Sequence, residues 1–249
     1  MNIQNMSRSM AVALALPLAL ATVPASIAVS AGAQDATDPG MAYSIARGGR
    51  LYDKWFKVVG TDGPEETHSL WPASNTNKDG DTTWRCKSCH GWDLMGKDGA
   101  YASGSYKTGI IGLQAYDGGS PEEVIAIMKA DAHGYDGMMR EQDFVDLANF
   151  VTKSQIDEKS VIDYDTKASD GDKAQGKEVY QTVCANCHGL DGMEPSDMPA
   201  LGALSNGNPQ ETLHKIRFGQ PDENMPALHA LGIQASLDVL SFLQELPEG

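Results

Sequence analysis

A chain of 249 residues with 34 acidic and 19 basic side chains carries a formal net charge of −15. That balance makes nucleic acid and anionic membrane surfaces poor partners and favours docking to basic groups, with association weakened by salt. All four cysteines fall in two copies of one pentapeptide, which leaves none for a disulfide, a zinc site or a catalytic thiol.

Residues 1–33 read as a targeting segment. Arg8 supplies a weakly basic start, residues 10–23 are mostly Ala and Leu, and Ala31, Gly32 and Ala33 suit a small-residue cleavage site, so cleavage is expected after Ala33. A retained anchor is the rival reading, weakened by Pro17 and Pro24. No later apolar run is long enough to span a membrane, so export to the periplasm without membrane insertion is expected.

A first domain is expected over 34–158. It opens on a helix with Gly48 one turn before Tyr52, a small residue beside an aromatic on a face suited to helix packing. A long insertion at about 60–85 follows, marked as loop by Asp62-Gly63-Pro64 and Trp71-Pro72, with a covering role, a docking role or no role at all open to it. Then comes Cys86-Lys87-Ser88-Cys89-His90. Two thiols three residues apart, with an imidazole directly after, can attach a haem through two thioethers while His90 takes one axial position on iron. A redox dithiol has no use for that His, and a zinc-binding His would stand further away.

Ser120-Pro121-Glu122-Glu123 predicts a capped helix start, and residues 146–151 a closing helix. The sixth iron ligand of this domain is expected from the intervening loop: Met138 first, with Met139, His133, His68 or an open position as alternatives.

Residues 159–171 read as a polar linker, and 172–249 as a second domain that repeats the first in order. Gly176 precedes Tyr180 by one turn, Cys184-Ala185-Asn186-Cys187-His188 repeats the haem pentapeptide, and Asn208-Pro209 repeats the helix start. Residues 238–243 repeat the closing helix. Here Met225 is the expected distal ligand, in preference to Met198 or a nearby His.

These residues together resemble the class I c-type cytochromes, and more narrowly their two-domain dihaem members. The resemblance covers about 41–249 and implies an all-α fold of two tandem small domains, a few helices around each of two covalently attached haem c groups. It implies His90 and His188 as proximal ligands, Met225 as a distal one, and the Pro199 carbonyl as acceptor of the His188 ring proton. The first domain departs from the family by lacking a counterpart of Pro199 and by having Arg140 after its Met pair.

The implied function is single-electron transfer rather than catalysis, with a cytochrome bc complex, a periplasmic dehydrogenase or a terminal oxidase as partners. The alternative is a haem enzyme acting on a small inorganic substrate at the first haem, with the second as relay. Dihaem thiosulfate dehydrogenases are the comparison, but they use a Cys ligand and no fifth Cys exists here. A third possibility is a cytochrome subunit held in a larger dehydrogenase complex.

Overall fold

Asp38 caps the first helix by accepting from the Gly40 N–H at 2.9 Å, and Pro39 sits at its first position, so α1 runs Pro39–Val59 from a well-defined start. The computed structural model describes residues 38–249. The expected targeting segment lies outside them. Among the described residues the architecture is helical and has no strand, only two isolated bridges.

The remaining α-helices are α2 (Cys86–His90), α3 (Pro121–Lys129), α4 (Glu141–Lys153), α5 (Lys173–Val179), α6 (Ala185–His188), α7 (Leu201–Gly207), α8 (Pro209–Phe218) and α9 (Ile233–Leu243). A π-helical turn, Tyr180–Cys184, joins α5 to α6. Among the described residues no helix is long and apolar enough to cross a membrane.

Two helix pairs carry the two cores. In the first, α1 lies against α4 so closely that a Cβ at Gly48 would stand 2.0 Å from the Asp146 carbonyl oxygen. In the second, α5 lies against α9, and a Cβ at Gly176 would stand 1.9 Å from the Asp238 carbonyl oxygen. Only a residue without a side chain permits either approach. The equivalence extends to the third helix of each half. Ser120 caps α3 by accepting from the Glu123 N–H at 3.3 Å, Asn208 caps α8 by accepting from the Glu211 N–H at 3.4 Å, and a proline follows each cap.

Helix α8 belongs to both cores. Leu213 and Ile216 face its own half, while His214 and Phe218, one turn apart, face the other. Phe218 is packed among the first core, over Gly49, where a Cβ would come within 2.4 Å of the ring. His214 is buried against Trp92, Tyr52 and Phe150, and its Nε2 donates to the Gly49 carbonyl at 2.9 Å. Lys215 pairs with the buried Asp53, which also holds Arg85.

The stretch 159–171, read from its polarity as a linker, is packed. Ile162 is buried in the second core, and the Tyr164 hydroxyl donates to Asp93 Oδ2 at 2.9 Å in the first half. One buried isoleucine in a polar segment is enough to anchor it.

Candidate haem-binding sites

Each Cys-x-x-Cys-His pentapeptide ends in a short helix, α2 or α6, whose C-terminal end is fixed by a tyrosine earlier in the chain. The Tyr52 hydroxyl of α1 donates to the Gly91 carbonyl at 2.6 Å, and the Tyr180 hydroxyl at the end of α5 donates to the Gly189 carbonyl at 2.7 Å. Both glycines directly follow the motif histidine, so the tyrosines hold the two sites in the same way.

The histidine rings are oriented by a backbone carbonyl in each case. His90 Nδ1 lies 2.9 Å from the Ile111 carbonyl oxygen, and His188 Nδ1 lies 3.1 Å from that of Glu194. A carbonyl accepts only, so Nδ1 carries the proton and Nε2 keeps the free lone pair that a metal needs. The Glu194 carbonyl replaces the expected Pro199 carbonyl. The reason is local: the Glu194 N–H donates to the His188 carbonyl at 3.1 Å, closing a tight loop that brings the Glu194 oxygen beneath the ring. The same closure occurs in the first half, where the Gly96 N–H donates to the His90 carbonyl at 2.8 Å.

Beside α2 opens a narrow apolar cleft, partly open to solvent. Cys86, Cys89 and His90 lie together on its wall. Apolar side chains of α3 and α4, among them Val124, Met128 and Leu147, also line it. His68, Leu70 and Thr83 of the insertion line it as well. An apolar slot with two thiols and a ring-oriented imidazole on one wall fits a covalently attached haem.

Burial makes three of the four thiols, Cys86, Cys89 and Cys184, unsuited to redox exchange. Burial pushes Cys86 and Cys89 up to about 12 and Cys184 up to about 11, away from the thiolate that a reactive cysteine needs. Among the described residues no cluster of three or more His, Cys, Asp or Glu side chains is disposed to hold a bare metal ion.

The candidate sixth ligands are less uniform. Met225 is half-buried in the loop after α8, which is tied back to that helix by the Leu228 N–H donating to the Ile216 carbonyl at 3.0 Å. Met198 instead packs against the second core. In the first half Met138 is 37 % exposed and Met139 packs against the first core, and neither lies on the wall of the cleft. His68 has both ring nitrogens engaged. Nδ1 accepts from the Leu70 N–H at 3.1 Å, so Nε2 carries the proton and donates to the His133 carbonyl at 2.9 Å. The His133 ring faces that of His90, with ring centres 6.5 Å apart and planes 18° from parallel.

The family model described as cytochrome c oxidase, cbb3-type, subunit III matches residues 171–236. That stretch holds Cys184, Cys187, His188 and Met225. No curated protein matches the chain. The match supports a c-type cytochrome, and residues 171–236 carry the domain, with the covalently bound haem c that such a domain implies and the electron transfer that it suggests.

Proposed function

We propose that the protein is a periplasmic dihaem c-type cytochrome that carries single electrons between a respiratory or dehydrogenase donor and a terminal acceptor. The observation that carries the dihaem reading is the shared frame of the two pentapeptides. Cys86–His90 has the same tyrosine clamp and the same loop closure onto the histidine carbonyl as the motif inside the matched domain, and its ring is likewise oriented by a backbone carbonyl, here that of Ile111 and not that of the loop-closing residue. Cys86 and Cys89 would form the thioethers of one haem, Cys184 and Cys187 those of the other, and His90 and His188 would be the proximal ligands. Bound haem supplies reversible one-electron chemistry, and the chain sets its potential, its burial and its docking.

Export rests on the targeting pattern of residues 1–33 and on the need of c-type attachment for that side of the membrane. A cytochrome bc complex, a periplasmic dehydrogenase and a terminal oxidase are the partner classes. The oxidase is favoured by the family matched, the dehydrogenase and bc complex by the resemblance alone. The strongly acidic charge favours a basic docking face on whichever partner it meets.

The carrier reading is tested by mixing the reduced holoprotein with carbon monoxide. A carrier with both axial positions filled keeps its spectrum on the time scale of electron transfer. Rapid carbon monoxide binding by the wild-type protein would instead favour substrate chemistry at an open iron.

A further inference from the structure

The two haem motifs share a frame but not a charge environment. Aligned on their pentapeptides, Arg85 stands where the second half has Val183, and Lys87 where it has Ala185. Asp93 and Asp191 hold the same place three residues after each histidine, so that charge is common to both. Aligned on the clamping tyrosines, Asp53 stands where the second half has Gln181. The first motif thus carries ionisable groups that the second lacks, and the fold adds one more, Lys215 of α8.

One buried carboxylate gathers two of the cations. Asp53 is 1 % exposed, its carbonyl accepts from Arg85 Nε at 2.8 Å, and its two carboxylate oxygens pair with Arg85 Nη2 and Lys215 Nζ. Burial raises the Asp53 carboxyl, but Lys215 and Arg85 lower it by more, so it stays ionised. Two cations against one anion leave an excess of positive charge, and Arg85 lies on the wall of the cleft with Cys86, Cys89 and His90. Lys87, 3 % exposed, adds a third cation. Its Nζ stands over the rings of Trp92 and Tyr106, 4.8 and 4.1 Å from their centres, and Lys215 Nζ lies 5.3 Å from the Trp92 ring centre. The one carboxylate of α8, Glu211, accepts instead from Asn208 Nδ2 at 2.9 Å.

We propose that Arg85, Lys87 and, from the second half, Lys215 raise the reduction potential of the haem attached at Cys86 and Cys89. The proposal rests on reading Cys86–His90 as a haem attachment. Reduction adds one negative charge to a haem, and charges interact more strongly in a weakly polar interior than in water, so nearby cations favour the reduced form. The Arg85 and Lys215 side chains are only 19 % and 16 % exposed, so salt screens them little. The potential of the first haem therefore depends on a residue of the second half, carried in by α8.

The test is a redox titration of the wild-type holoprotein and its Arg85→Gln, Arg85→Lys, Lys87→Gln and Lys215→Gln variants. It is made at pH 6, below the value of about 7 to which burial pushes Lys87, so that all three cations carry their charge. Haem content and absorption spectra are measured first. Each Gln variant should keep two haems with unchanged spectra and lower one potential, the one that persists in a Cys184→Ala/Cys187→Ala variant, while the other stays in place. Arg85→Lys keeps the charge and should leave that potential near its wild-type value. The shifts should survive raised salt. The proposal is overturned if neither Lys215→Gln nor Lys87→Gln lowers a potential, if both potentials fall together, or if Arg85→Lys lowers the potential as far as Arg85→Gln, which would mark a role in packing alone. If Arg85→Gln does not load both haems, the Lys87 and Lys215 variants decide. A single haem in the wild type would overturn the dihaem reading along with it, and the haem count separates that failure from a wrong account of the charges.

Discussion

Tyr52 and Tyr180 show how much one hydroxyl can fix. Each is fully buried and spends its hydroxyl proton on the carbonyl immediately after a haem-motif histidine. Burial pushes both phenols above their ordinary range, so each remains a neutral donor at any working pH. Tyr52→Phe strands the Gly91 carbonyl, and a loss of about 1–3 kcal/mol in stability is expected from thermal or denaturant unfolding. A change under about 0.5 kcal/mol would show that the clamp contributes little. The histidine carbonyl partners were harder to read from residues alone. The choice of Pro199 came from the family resemblance, whereas the Glu194 loop closure depends on a backbone hydrogen bond that no side-chain pattern announces.

At the scale of elements, the α1–α4 and α5–α9 contacts depend on two glycines. A methyl group at Gly48 or Gly176 would stand about 2 Å from a helix carbonyl, far inside van der Waals contact, so the helices must part. Gly48→Ala and Gly176→Ala are each expected to lower stability by about 1–3 kcal/mol, measured by denaturant unfolding of the holoprotein. These positions were legible because the sequence repeats glycine one turn before tyrosine. The role of the insertion was not, since His68 meets His133 from far along the chain and spacing carries no record of it.

Helix α8 gives a pH dependence with a definite sign. Burial pushes His214 down to about 3, partly opposed by Asp53 and the Gly49 carbonyl, so it stays neutral in the folded state. The unfolded chain takes up that proton near the ordinary value of about 6.5, so the contribution is complete above that pH and is lost as pH falls toward 3. His229, pushed down to about 4 by burial, acts in the same direction. Stability should therefore fall by up to about 1.4 kcal/mol per pH unit for each histidine below about pH 6. His214→Gln keeps a donor for the Gly49 carbonyl and removes one titration, so a shallower slope is expected. An unchanged slope would show that His214 is not the group responsible.

For the molecule as a whole, the two halves share one interface instead of hanging on a flexible connection. Phe218 sits in the first core, Lys215 pairs with Asp53, and the Arg217 guanidinium donates to the Ser154 carbonyl at 2.6 Å. The repeat made the two halves legible, but no pattern in α8 marks His214 and Phe218 as packing against the other half. Their burial follows from contacts that only the folded chain creates. The charge of −15 belongs to this scale as well. Electron transfer with a basic redox partner should slow as ionic strength rises from about 0.01 to 0.15 M and the screening length shrinks from about 30 to 8 Å. A rate independent of salt would argue against electrostatic docking.

The central claim is that two equivalent attachment sites lie in one chain, and the intact mass of the holoprotein tests it most directly. Two covalent haems are expected in the wild type, one in the Cys86→Ala/Cys89→Ala variant and one in the Cys184→Ala/Cys187→Ala variant. A wild-type mass with a single haem, unchanged by loss of Cys86 and Cys89, would contradict it.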